Sequence, residues 1–292
     1  MAGISVLPAE VLLAKRVQEM VLYGEEPQPP HICRDDCTDE DVSVMPSLIP
    51  IIDLSLLSSL EPSTSHEELH KLRSALCSWG CFQAIGHGIP KSFLDKIRQV
   101  AKEFFEQPME EKKKHAKGVY EFEGYGADPV PAEGQSLTGL IVYFLTYTQK
   151  IEGSPSSGQK IQHLSGDSPC SWHIDSWTWK IYLKEPKERE VLEEYTLKMR
   201  MLTELVSKAM AKSLNLEENC FLDQFGEQAV LQARFNNYSR CPRPDLVLGL
   251  KAHADGSGYT IILQNDVEGL QVQKDKNWSQ CPPFQMPPNL NG

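Results

Sequence analysis

The sequence predicts an α+β protein in which a helical N-terminal region precedes an antiparallel β third of barrel or jelly-roll type. Three observations predict it. Apolar residues recur at three- and four-residue spacing in two segments between residues 66 and 108 and in a long one at Leu192 to Leu214. A strand–helix–strand succession reads between Ile49 and His87, and period-two alternation takes over after residue 230.

Taken in order, residues 1 to 48 combine a short amphipathic helix signal with a Pro- and Asp-rich run, "PQPPHICRDDCTDEDVSVMP", which reads as an exposed lead-in. "IPIIDLSLL" is a short apolar strand behind Pro50. Ser63 to Ser65 offer N-caps to "HEELHKLRSALCSWG", where Leu69, Leu72, Leu76 and Trp79 form a stripe and Gly80 supplies a left-handed cap. "CFQAIGH" reads as the returning strand. In "KSFLDKIRQVAKEFFEQP", Phe93, Ile97, Val100, Phe104 and Phe105 share a face that Pro108 ends. "MEEKKKHAKG" reads as a solvated turn with His115 at the surface. Leu192, Tyr195, Met199, Leu202, Val206, Met210 and Leu214 mark the clearest helix. In "VLQARFNNY", Leu231, Ala233 and Phe235 alternate with Gln232, Arg234, Asn236 and Tyr238, giving a polar strand face that would point into a closed sheet. "GYTIILQ" alternates likewise, "NDVEG" supplies a turn, and "LQVQKD" follows.

A chain of 292 residues can bury one large core or two smaller ones. Its net charge of −11 sets it against nucleic-acid backbones and anionic membrane surfaces, which leaves a small molecule as the expected partner. The apolar run Leu137 to Tyr147 is too short to span a bilayer. The first twenty residues are broken by charges and do not read as a secretory signal. Cys33, Cys37, Cys77, Cys81, Cys170, Cys220, Cys241 and Cys281 lack zinc-finger spacing and read as reduced thiols of a cytoplasmic protein.

Chemistry enters at "LKAHADGSGYTIILQ". Residues i and i+2 of a strand face one way, so His253 and Asp255 at its head can reach one ion. Imidazole and carboxylate suit Fe(II), and two histidines with one carboxylate leave positions open for oxygen and substrate. H-x-D alone is a weak signal, however, and the chain holds a second copy, His173 and Asp175, whose flanks lack the alternating strand. No histidine follows His253 within these residues. A zinc hydrolase using the same pair finds no H-E-x-x-H or comparable ligand set.

The ordered blocks "IPIIDLS", "WGCFQAIGHGIP", "EFFEQPMEEKKK", "EGYG", "LEEYTLKMRMLTELVSKAMAKSLNLEEN", "ARFNNYSRCPRPDLVLGLKAHADGSGYTIILQ" and "VEGLQVQKDKNW" carry a resemblance over residues 15 to 137 and 190 to 280. The chain resembles the plant 2-oxoglutarate- and Fe(II)-dependent dioxygenases, within them the senescence-related and alkaloid O-demethylase-like group. The resemblance implies a double-stranded β-helix (jelly-roll) core behind the helical region. It implies His253 and Asp255 as iron ligands and Asn236 and Tyr238 as the pair that helps hold 2-oxoglutarate; His87 in "HGIP" matches as a structural residue. Fe(II), 2-oxoglutarate, molecular oxygen and a small-molecule substrate are the implied participants, with ascorbate as an accessory reductant. The implied outcome is hydroxylation or O-demethylation of a plant metabolite.

Two departures shape the expectation. Residues 138–189 do not follow the family pattern and are read as a divergent insert, a mis-spliced or retained-intron segment, between a dioxygenase N-terminal region at 49–137 and the long helix and first jelly-roll part at 190–292. The distal histidine and the Arg-x-Ser pair that grips 2-oxoglutarate are absent, so the core is expected to be incomplete, the chain truncated and its turnover impaired. The alternative is a non-catalytic dioxygenase relic that binds a small molecule or a partner.

Overall fold

The computed structural model describes residues 17–32, 49–57, 61–118, 123–126, 140–148, 186–226 and 230–283. Contacts divide the chain into two compact units, one drawn from residues 1–34, 100–193 and 225–252, the other from 35–99, 194–224 and 253–292. Cys33, Cys37, Cys170, His173, Asp175 and most of 138–189, for which the sequence carries expectations, lie outside the described residues.

The second unit is built on the predicted strand–helix–strand. The β-branched run behind Pro50 gives β1 (Ile51–Asp53), a single helical turn α2 (Leu54–Leu57) follows, and α3 (Pro62–Trp79) returns the chain to β2 (Gln83–Ile85), parallel to β1 with Ile51 opposite Gln83. The helix does not start at Ser63 to Ser65. Pro62, whose missing N–H costs nothing in a first turn, places the N-cap at Glu61, and Ser65 instead donates its hydroxyl to the Leu57 carbonyl at 3.0 Å. Gly80 ends α3 at φ 69° with its N–H on the Leu76 carbonyl, as the sequence predicts. Ile52, Leu54, Leu57, Leu69, Leu72 and Ala75 form the core with Ala209, and Leu202, Leu205, Val206 and Met210 of α6 (Pro186–Ser213) pack on it. The same unit holds the hairpin of β6 (Gln271–Lys274) and β7 (Asn277–Gln280), turned through Asp275 and Lys276, both at positive φ, as a two-residue primed turn requires. Lys274 Nζ sits 4.3 Å from the centre of the Trp79 ring.

In the first unit, β3 (Gly124–Gly126), β4 (Leu140–Thr148) and β5 (Val230–Tyr238) form an antiparallel sheet in that order. The apolar run that is too short for a membrane is thus a strand, and no helix of the described residues is long and apolar enough to cross one. Tyr125 on β3 is fully buried, edge-on to Phe104 at the end of α4 (Lys91–Glu106). The solvated turn expected after Pro108 is instead the short helix α5 (Met109–Lys113), in which Lys112 is buried and donates to the Phe105 carbonyl at 2.8 Å. The hydrophobic stem, that bond and the Tyr125 ring 6.0 Å away help accommodate a lysine there. Nor is the whole lead-in exposed: α1 (Val17–Tyr23) buries Met20, and His31 is buried after it.

One β expectation is not met. "GYTIILQ" forms no strand, because no strand among the described residues pairs with its backbone, and Ile261 and Ile262 are exposed. The strands of the described residues make three small sheets of two, three and two strands. Cys77, Cys81, Cys220, Cys241 and Cys281 carry free thiols, as expected for those five.

Candidate functional site

In the first unit, β5 keeps its predicted alternation over all nine residues: Leu231, Ala233, Phe235 and Asn237 are half-buried, while Gln232, Arg234, Asn236 and Tyr238 are exposed. Period two puts the last four on one face. That face meets solvent and not the interior of a closed sheet, which corrects the sequence expectation. Its register against β4 sets Val142 opposite Asn236 and Leu140 opposite Tyr238. Arg234 donates from Nε to Asn236 Oδ1 at 2.9 Å and so fixes the amide, turning its N–H groups into the available donors. Gly249 lies against the Tyr238 ring; a methyl group there would stand 2.9 Å from a ring carbon, so glycine is what lets the ring take this place.

In the second unit, His253 and Asp255 stand on an irregular segment and not at a strand head. The structure nevertheless brings them together, His253 Nε2 to Asp255 Oδ1 3.4 Å, with both side chains about half exposed at 49% and 47%. Two metal bonds of about 2.1 Å can span that separation, so one ion can touch both, and a neutral nitrogen with an anionic oxygen suits Fe(II). The residues present therefore fit two places of an iron site. Among the described residues no group of three or more His, Cys, Asp or Glu could hold a metal. His87 is put to structural use: its Nδ1 accepts the Ile89 N–H at 3.1 Å.

What fixes the His253 segment was not visible in the sequence. Tyr259 reaches Ser207 and Met210 of α6, and Arg98 Nε donates to the Gln264 carbonyl at 3.0 Å. Tyr259 reads as one more alternating strand residue, and a serine on a long helix carries no signal of its own.

Comparison with known proteins gives two family matches, "non-haem dioxygenase in morphine synthesis N-terminal" over residues 49–157 and "2OG-Fe(II) oxygenase superfamily" over 227–290. The second includes all four candidate residues. Codeine O-demethylase of Papaver somniferum is 36% identical over 237 residues, which is 81% of this chain and 59% of that protein. Protein SRG1 of Arabidopsis thaliana is 34% identical over 280 residues, 94% of this chain and 71% of that one. The crystal structure of JOX2 in complex with 2OG, Fe and JA superposes with a TM-score of 0.69 at 28% identity, covering 93% of this chain and 70% of that chain. The chain thus spans roughly three fifths to seven tenths of the relatives it matches.

Proposed function

The chain belongs to the 2-oxoglutarate- and Fe(II)-dependent dioxygenases, and from that premise we propose that it oxidises a small plant metabolite by hydroxylation or O-demethylation. His253 and Asp255 hold Fe(II), and Asn236 and Tyr238 help hold 2-oxoglutarate. The observation that carries the reading is the 3.4 Å approach of His253 Nε2 to Asp255 Oδ1 on an exposed segment within the superfamily match.

When bound, iron would supply the redox chemistry by which O2 oxidises 2-oxoglutarate to succinate and CO2, with one oxygen atom kept in succinate and the other passed to the organic substrate. The chain's residues do the rest. His253 offers a lone pair and Asp255 a negative charge that offsets part of the ion's own. Asn236, oriented by Arg234, donates N–H groups to a carboxylate, and the Tyr238 phenol adds an O–H donor. O-demethylation is supported by the likeness to codeine O-demethylase; it corresponds to hydroxylation of a methyl carbon, followed by loss of formaldehyde.

Anaerobic titration with Fe(II), followed by 2-oxoglutarate, tests the proposal. The expected result is one iron per chain, a visible charge-transfer band on adding the cosubstrate, and succinate release in air. Absence of iron binding, or iron binding without succinate release, would favour the non-catalytic relic.

A further inference from the structure

From Ala252 to Ile262 the chain belongs to no helix or strand, and every residue but Tyr259 is exposed. No ladder of backbone bonds therefore fixes the place of His253 and Asp255. Tyr259 is the exception for a specific reason. Its hydroxyl lies 3.0 Å from the hydroxyl of Ser207 and donates to Met210 Sδ at 3.7 Å. Ser207 is fully buried at 0% exposure, and its Oγ lies 2.7 Å from the Thr203 carbonyl one turn back. A hydroxyl taken wholly out of water needs such partners: the one Ser207 proton is shared between the Thr203 carbonyl and the Tyr259 phenol oxygen, which ties the phenol to the helix. The contact joins the segment to α6, a helix of 28 residues. Two smaller ties finish the fixation: Ser257 Oγ lies 3.0 Å from Thr260 Oγ1, and Arg98 holds the Gln264 carbonyl beyond.

We infer that Tyr259 is the positioning residue of the His253–Asp255 pair, tethering the segment to Ser207 and Met210 of α6 so that both ligand atoms stand ready for one ion. The inference rests on the metal-site reading above. Physically, a segment already ordered loses less conformational entropy on taking a metal, and the tether four residues after Asp255 is where that order originates. Phenylalanine would keep the ring and its packing but leave the buried Ser207 hydroxyl one partner short. The hydroxyl, and not the aromatic body, is therefore the part that positions.

The test uses the full chain with Mn(II) and Co(II) as probes, in wild type, Tyr259→Phe, Ser207→Ala and the double variant. Mn(II) affinity is measured by titration, ligand geometry by the visible absorption of Co(II), and segment order by amide exchange of peptides spanning 252–258. Expected are a roughly tenfold loss of Mn(II) affinity in Tyr259→Phe, the low end for an outer-shell partner, and a double variant no worse than that single one, because both remove one contact. The Co(II) bands should shift and exchange across 252–258 should quicken. Tyr259→Phe with wild-type affinity, Co(II) spectrum and exchange overturns the inference and leaves the metal site standing. A lowered melting temperature with unchanged affinity and spectrum makes Tyr259 merely structural, which also overturns it. Failure of the wild type to take either metal overturns the metal-site reading and, with it, the positioning role.

Discussion

His87 accepts the Ile89 N–H through Nδ1, so the fold uses its neutral form, and burial holds its pKa below the usual histidine range. His31 is shifted the same way by burial, and its Nδ1 finds no hydrogen-bond partner among the described residues. The sign follows. Near pH 6.5, the ordinary histidine value to about half a unit, the unfolded chain takes up protons that these folded histidines refuse. Stability is therefore level above that pH and falls as pH drops from there toward the lowered folded values. The melting temperature is expected to hold above about pH 7 and decline below about 6.5. His87→Asn, which keeps an acceptor near the Ile89 N–H but does not titrate, should flatten part of that decline. An identical slope in wild type and variant would refute the role given to His87. The sequence singles out His253, Asp255, Asn236 and Tyr238 as candidates, because ligand types at i, i+2 spacing are a local pattern. Tyr259 and Ser207, 52 positions apart, escaped it, since their meaning exists only once helix and segment meet.

At the scale of elements, the β1–α3–β2 unit depends on one close approach. Gly86 follows β2 at φ 61°, and a methyl group there would collide with Asp53 Oδ1, the atom that accepts both the Ser55 N–H and the Ser55 hydroxyl. Asp53 is itself tied through its N–H to the buried Glu68 carboxylate at 2.8 Å. Gly86→Ala combines a disfavoured dihedral with a steric clash and should lower stability by about 2–4 kcal/mol, read from urea denaturation. A loss below about 0.5 kcal/mol, the level of an ordinary surface change, would mean that the approach is not constraining. The helices were legible because their stripes are long and their stops chemical: Leu69, Leu72 and Gly80 fall where the sequence puts them. The N-cap falls at Glu61 and not at the serines because Pro62 is the stronger starter. Lys112 departs from the expected solvated turn because a charged run looks solvated until Tyr125 and the Phe105 carbonyl close over it.

For the whole molecule, local pattern and long-range pairing part company. Alternation predicted both "VLQARFNNY" and "GYTIILQ", yet β5 is a strand because β4 lies beside it in register over nine residue pairs, and Tyr259 to Gln264 is not, having no such neighbour among the described residues. A period of two signals that a segment can pair; it does not supply the partner. Family membership likewise rests on many ordered blocks, whereas H-x-D occurs twice in the chain, at His173–Asp175 and at His253–Asp255. The central claim is that the second copy holds the metal. Anaerobic Fe(II) affinity of the full chain, compared in wild type, His253→Ala and His173→Ala, tests it most directly. The account predicts a loss of about a hundredfold or more in His253→Ala, beyond the usual cost of an outer-shell change, with wild-type affinity in His173→Ala. Unchanged affinity in His253→Ala, or a comparable loss in His173→Ala alone, would contradict it.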